Sequence, residues 1–317
     1  MAITYLCPVA KNHPIGGVKV IYRHAAILAA NGVPASVFHP DDPGYRYDWF
    51  EHTTPMKADG RFNPAEDFVV IPEVWAGRFA RTFYASGLKY AIFVQGGYSI
   101  PLALATTPRD EVETAYEKAA LILSVSEDTS EIISLAYPRL PKDKIFRILP
   151  HVGGAFHAGK KAKIISYMPR KSPEQSHALR FFLESQPAVR GWEIVPIHNK
   201  KEPEVAETLA RSSIFLAISH QEGFSLPPLE AALSGAVVVG YTGQGGKEYF
   251  HAPVFREIEN GNLRAFVAGI GKAIVEVDNG LLDSGPFQNA VATLREKYSA
   301  ANELAHLLTF ARRFTQA

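Results

Sequence analysis

Two carboxylates, Glu222 and Glu230, bracket a stretch that is otherwise glycine, serine, proline and large apolar side chains: EGFSLPPLE, residues 222–230. The surrounding IFLAISHQEGFSLPPLEAALSGAVVVGY reads as strand, loop, helix, strand. Pro227 and Pro228 open the helix and Gly235 closes it, so Glu222 belongs to the loop and Glu230 to the helix. Loop and first-turn N–H groups can hold an anion without a metal. Gly223 removes side-chain bulk, so a ligand can come close to the main chain. Taken singly, Glu222 reads as a solvated loop acid and Glu230 as a complement to the positive helix end. A second cluster with charge is Arg170-Lys171, which follows the apolar run KIISYM and precedes SPEQ, again at a strand end before a helix start.

Short apolar, β-branched runs must position these groups. The first series is ITYLCPV (3–9), ASVFH (35–39), FVVIPEV (68–74), KYAIFV (89–94), LILSVS (121–126) and IFRILP (145–150). The second is KIISYM (163–168), WEIVPI (192–197), IFLAIS (214–219), AVVVGY (236–241) and APVF (252–255). They are too continuously apolar for strands with one wet face, which predicts parallel sheets covered on both sides. Helical patterns separate them. Residues 18–31 carry an apolar stripe with Gly32 as the terminating residue, and Ser172-Pro173-Glu174-Gln175 spells a capping box. The alternation predicts a doubly wound α/β chain, and the second series restarts after the basic run GKKAK (159–163), read as a solvated linker. Beyond about residue 258 the chain turns helical and ends in the amphipathic ANELAHLLTFARRF. Two Rossmann-like domains with a cleft at the carboxyl ends of their strands are expected, with ligands bound there.

Composition narrows the function. With 317 residues, 47% hydrophobic and 21% charged, the chain can bury two ordinary cores. A net charge of +1 gives no field for nucleic acid. Cys7 is the one cysteine, which excludes a disulfide framework and a cysteine-based zinc site. No run approaches the roughly 18 apolar residues of a membrane span. MAITYLCPVA does not spell a signal peptide, so a cytoplasmic location is expected, with peripheral membrane contact left open. The 11 histidines show no metal-ligand spacing with acids, and PDDPG reads as a turn. Gly16 and Gly17, between first strand and first helix, do not make G-x-G-x-x-G, so nicotinamide binding is not indicated. TGQGGKEYF, with three glycines and Lys247, predicts a flexible loop facing the cleft.

EGFSLPPLEA resembles the Glu-x7-Glu signature of the retaining GT-B glycosyltransferases of family 4, usually close to EGFGLPPLEA. SHQEGF, SGAVVVGYTGQGGKEYF, HVGGAF and PIGGVKVIYRHAAILAANGVPASVF are similar to further family motifs in the same order. The match is strong over about 214–250 and weaker but collinear over about 3–156.

The resemblance implies a GT-B fold: an acceptor-side domain over 1–158, a nucleotide-sugar domain over 159–299, and a helix over 300–317 crossing back. It implies that Glu222 touches the sugar and its reacting centre. Gly223, Phe224, Ser225 and Leu226 would offer amides to sugar and diphosphate, and Glu230 would bind the ribose. Ionised carboxylates only accept hydrogen bonds, which suits diols, and one near the anomeric carbon stabilises positive charge developing there. Arg170 and Lys171 would neutralise the diphosphate. Gly16 and Gly17 would belong to a loop closing over diphosphate or acceptor. His198, ending a strand, would lie near the nucleobase. No cofactor beyond the nucleotide-sugar co-substrate is implied, and the acceptor would be a glycan or a lipid-linked glycan.

Two positions depart from the pattern. Arg170 and Lys171 are adjacent where the family spaces an arginine and a lysine. Gln95 stands where many members carry a histidine near the transferred sugar. Glutamine hydrogen-bonds a hydroxyl but is neither acid nor base, which is compatible with a mechanism in which the leaving phosphate takes the acceptor proton. Two other readings remain at this stage: a GT-B scaffold that binds nucleotide-sugars without transfer, and a GT-B sugar-nucleotide epimerase.

Overall fold

The computed structural model describes residues 1–9 and 15–315, without the side chains of Lys171, Phe314 and Thr315. Two compact units divide the chain, Met1–Pro150 with Ala301–Ala317, and His151–Ala300.

The first unit is built on a parallel six-stranded sheet in the order β2-β1-β3-β4-β5-β6. Its strands are β1 (Ala2–Leu6), β2 (Ala35–Phe38), β3 (Asp67–Pro72), β4 (Lys89–Val94), β5 (Leu121–Ser124) and β6 (Ile145–Arg147). Apart from Ala2 and the half-buried edge strand β6, their apolar side chains are buried on both faces, as the continuous hydrophobic runs require. Helices α1 (Gly16–Ala30), α2 (Ala76–Ser86), α3 (Arg109–Lys118) and α4 (Glu127–Ala136) connect them. Gly16 and Gly17 are the opening residues of α1, not a loop ahead of it. Their neighbours at residues 10–14, His13 among them, lie outside the described residues.

The second unit carries a parallel five-stranded sheet in the order β11-β10-β9-β7-β8. Its strands are β7 (Ala162–Tyr167), β8 (Glu193–Pro196), β9 (Ser212–Ala217), β10 (Val237–Gly240) and β11 (Phe255–Glu257). Helices α5 (Pro173–Glu184), α6 (Glu202–Arg211), α7 (Leu226–Leu233), α8 (Leu263–Asp278) and α9 (Gly285–Lys297) flank it. The expected solvated linker is only partly so. The Lys161 ammonium donates to the carbonyls of Ser234 at 2.5 Å, Ser212 at 2.8 Å and Leu209 at 3.3 Å, satisfying main-chain oxygens at the ends of α6 and α7.

The final helix, α10 (Ala300–Thr315), belongs with the first unit. Glu303, Leu307, Phe310 and Ala311 form its buried face at helical spacing. Glu303 is fully buried and takes a forked pair of bonds from Arg23 of α1, at 2.7 and 3.0 Å. Phe310 packs edge-on against Phe68 of β3. None of the helices among the described residues is long and apolar enough to cross a membrane.

Candidate functional site

In an open parallel sheet, the crevice forms where neighbouring strands send their connections to opposite faces, at the carboxyl ends. The strand orders place that point between β7 and β9 in the second unit, and between β1 and β3 in the first. The candidate residues fall at these two places.

In the second unit, β7 ends at Tyr167 and continues through Met168 into a short 3-10 turn, Pro169–Lys171. β9 ends at Ala217 and continues into the loop carrying Glu222. Arg170 and Glu222 line one small cavity of about 70 Å³, together with Ser219, Ser225 and Pro227. A cation and a carboxylate distant in sequence thus share one concavity at the switch point. The side chain of Lys171 lies outside the described structure. The helix α5 that follows starts at Pro173 as predicted, but Ser172 makes no side-chain cap: it takes the Ser176 N–H on its carbonyl. The capping-box spelling therefore does not form a Ser172 side-chain cap on α5.

The Glu222 loop is held by main-chain geometry. Ser225 adopts a left-handed conformation, φ 63°, and caps α7 without a side-chain bond. The buried Tyr249 hydroxyl donates to the Ser225 carbonyl at 2.5 Å, with Phe224 O at 3.2 Å. Burial drives the Tyr249 phenol well above its ordinary pKa, so it remains a donor. Gly223, Phe224 and Ser225 are buried, while Glu222, Leu226 and Glu230 are half-buried. Glu230 rides on α7 and does not line the Arg170–Glu222 cavity.

TGQGGKEYF was expected to be a flexible loop; instead its glycine run is packed against the Glu222 loop. Glu222 donates its N–H to Gly243 O at 2.7 Å, and Gly245 returns its N–H to Glu222 O at 3.2 Å. A Cβ on Gly245 would stand 2.1 Å from Gly223 O, so glycine here serves close main-chain approach rather than mobility. Lys247 is exposed.

A polar relay that sequence reading passed over joins the first turn of α5 to the residues after β9 and β10. His220 Nε2–H donates to Gln175 Oε1 at 2.6 Å, and Gln175 Nε2 donates to the Tyr241 hydroxyl. Gln175 was visible only as part of the capping box, and Tyr241 only as a strand terminus. His198 lies just past β8, exposed, beside Asn199 with φ 52°. It is not among the residues of the Arg170–Glu222 cavity.

In the first unit, Gly17 and Gln95 meet: Gln95 Nε2 donates to Gly17 O at 3.0 Å, and a Cβ on Gly17 would lie 3.1 Å from Gln95 Oε1. Gly16 is exposed at the helix start. Sequence reading missed Glu73, which it placed inside a strand. The strand stops at Pro72, and Glu73 begins a 3-10 turn, Glu73–Trp75. Its carboxyl is buried, with Oε1 accepting the Gly96 N–H at 2.9 Å, and burial pushes its pKa up to about 7. An acid directly after an apolar run was the available signal. Among the described residues, no group of three or more His, Cys, Asp or Glu could hold a metal ion.

No protein-family model matches the chain, and no curated protein sequence matches it. Solved structures do. Sucrose-phosphate synthase from Thermosynechococcus elongatus superposes with a TM-score of 0.72 at 12% identity, covering 100% of this chain and 99% of that one. Anabaena HepE in complex with UDP gives 0.67 at 12% identity, covering 100% of both chains. TarM gives 0.59 at 15% identity over 77% of this chain, which spans only 54% of TarM. At such identities the likeness speaks for architecture, and with the two parallel sheets it establishes that this chain has the α/β GT-B fold.

Proposed function

We propose that the chain is a glycosyltransferase that moves a sugar from a nucleoside-diphosphate donor to a glycan or lipid-linked glycan acceptor, with retention at the anomeric carbon and without a metal. One observation carries the reading: at the switch point of the second sheet, Arg170 and Glu222 line a single cavity beside a loop of buried main chain. The fold it shares with sucrose-phosphate synthase and with UDP-bound HepE supports the same reading.

In this account the diphosphate lies against Arg170 and Lys171, the first turn of α5, and the amides of Gly223, Phe224, Ser225 and Leu226. Negative charge grows on the leaving phosphate as the bond breaks, so cations and amide dipoles already in place stabilise the transition state more than the ground state. Their fixed positive charge is what replaces a metal. Glu222 accepts sugar hydroxyls and faces the anomeric carbon, where its charge favours the oxocarbenium-like state. Glu230 accepts the ribose hydroxyls, and His198 sits by the base. The bond from the anomeric carbon to the phosphate oxygen breaks, a bond to the acceptor oxygen forms on the same face, and the acceptor proton passes to the leaving phosphate. Gln95, which cannot take that proton, hydrogen-bonds instead. Peripheral contact with a membrane would follow from a lipid-linked acceptor.

A thermal-shift screen with UDP-, GDP-, dTDP- and ADP-glucose tests this, because a ligand that binds only the native state raises its melting point. One donor should raise Tm and release its nucleoside diphosphate in the presence of EDTA. No shift with any of the four, or turnover abolished by EDTA and restored by Mg²⁺, would contradict the proposal.

A further inference from the structure

The first unit holds a buried acid to which the reading above gives no task. Glu73 is 7% exposed at the end of β3, and among the described residues its polar partners are main-chain amides: Gly96 above all, with its own and that of Gln95 nearby. Among the described residues no cation meets this carboxyl, and taking it out of water is costly, which is why burial raises its pKa to about 7. What the carboxyl does geometrically is fix a turn. Gly96 donates to it at 2.9 Å from one side, and on the other a Cβ at Gly97 would stand 2.9 Å from Ile132 Cγ2. The turn so clamped carries Gln95, whose amide donates to Gly17 O at 3.0 Å in the opening turn of α1. Three connections at the switch point of the first sheet, after β1, β3 and β4, are thus tied through one carboxyl.

We propose that Glu73 is a positioning residue for sugar transfer: it sets the Gln95–Gly97 turn and, through Gln95, the start of α1. The proposal rests on reading the chain as a nucleotide-sugar transferase. Glu73 touches no reacting atom; it acts through Gln95.

The test uses the full chain and whichever of UDP-, GDP-, dTDP- or ADP-glucose the wild type turns over fastest. Glu73→Leu keeps much of the volume, removes a buried acid and removes the acceptor for Gly96. A merely structural role predicts normal turnover at temperatures where the variant is folded. The positioning role predicts that kcat falls about tenfold or more while KM for the donor stays within about threefold. Glu73→Gln keeps an oxygen for the Gly96 N–H and should recover most of the lost kcat. Combining Glu73→Leu with Gln95→Ala should cost little beyond Gln95→Ala alone, because the two act in series. Wild-type kcat in a folded Glu73→Leu protein, or full additivity with Gln95→Ala, would overturn this inference and leave the transferase reading intact. A wild type that neither binds nor turns over any of the four donors would overturn both.

Discussion

Glu222 and Gly243 are joined main chain to main chain: the Glu222 N–H donates to the Gly243 carbonyl at 2.7 Å. The acid at the centre of the candidate site therefore owes its position to a second loop, which follows β10, rather than to its own loop alone. The glycines of that second loop allow the approach.

Gly245→Ala tests that dependence. Its Cβ would sit 2.1 Å from Gly223 O, a main-chain atom that cannot swing aside. The variant should lose about 2 kcal/mol or more of stability, as overpacking of main chain does. It should also bind sugar nucleotides more weakly, because the Glu222 loop moves. Urea denaturation and a donor titration measure the two effects; a variant as stable as wild type would show that the loops are not tightly coupled.

A second prediction concerns Arg23 and Glu303, one near the start of the chain and the other near its end. Glu303 is fully buried, and Arg23 meets it with two bonds of 2.7 and 3.0 Å. Arg23→Ala removes the forked partner of a buried carboxylate, which keeps His24 Nε2 at 3.4 Å, so it should cost up to about 3 kcal/mol. Hydrogen exchange should rise along α10, whose docking this pair supports. Replacing both residues together, as Arg23→Met with Glu303→Leu, should restore much of the loss. Unchanged exchange in Arg23→Ala would mean that the apolar face of α10 suffices by itself.

Glu73 gives the third prediction. Its carboxyl titrates near 7 in the folded chain against an ordinary 4.5, so between those values the native state holds a proton that the unfolded chain has released. Stability from this group is therefore highest below about pH 4.5 and declines as pH rises to about 7, by about 3 kcal/mol in all. Glu73→Gln removes the effect. Urea unfolding of the first unit at pH 4.5 and 7.5 should show wild type losing about that much relative to Glu73→Gln. Parallel pH profiles would place the Glu73 carboxyl at its ordinary value.

What the sequence disclosed depended on how local each signal was. Most strands were legible, because a parallel strand covered on both faces must be apolar throughout, and runs such as KYAIFV and AVVVGY can be little else; the exception is the edge strand β11, Phe255–Glu257, which shares only Phe255 with the expected APVF and carries Arg256 and Glu257. Strand ends were less clear: FVVIPEV hid Glu73 because the apolar valine after it continued the pattern past the turn. Glycine was ambiguous in both directions. Gly16 and Gly17 suggested a loop but open α1, and the glycines near Gly245 suggested mobility but mark close packing. In each case the deciding partner, Gln95 or Gly223 O, is remote in sequence. Lys161 was read as solvated for the same reason, since the carbonyls it serves come from other elements. The acid spacing of EGFSLPPLE was legible, whereas the convergence of Arg170 with Glu222 required the order of strands in the sheet.

Donor binding and donor turnover measured on Glu222→Gln test the central claim most directly. The amide keeps the shape and a hydroxyl acceptor but removes the charge that the proposed mechanism sets against the anomeric carbon. With the sugar nucleotide that most raises the wild-type Tm, the account predicts a Kd within about threefold of wild type and a kcat lower by about a hundredfold or more. Turnover equal to wild type would contradict it.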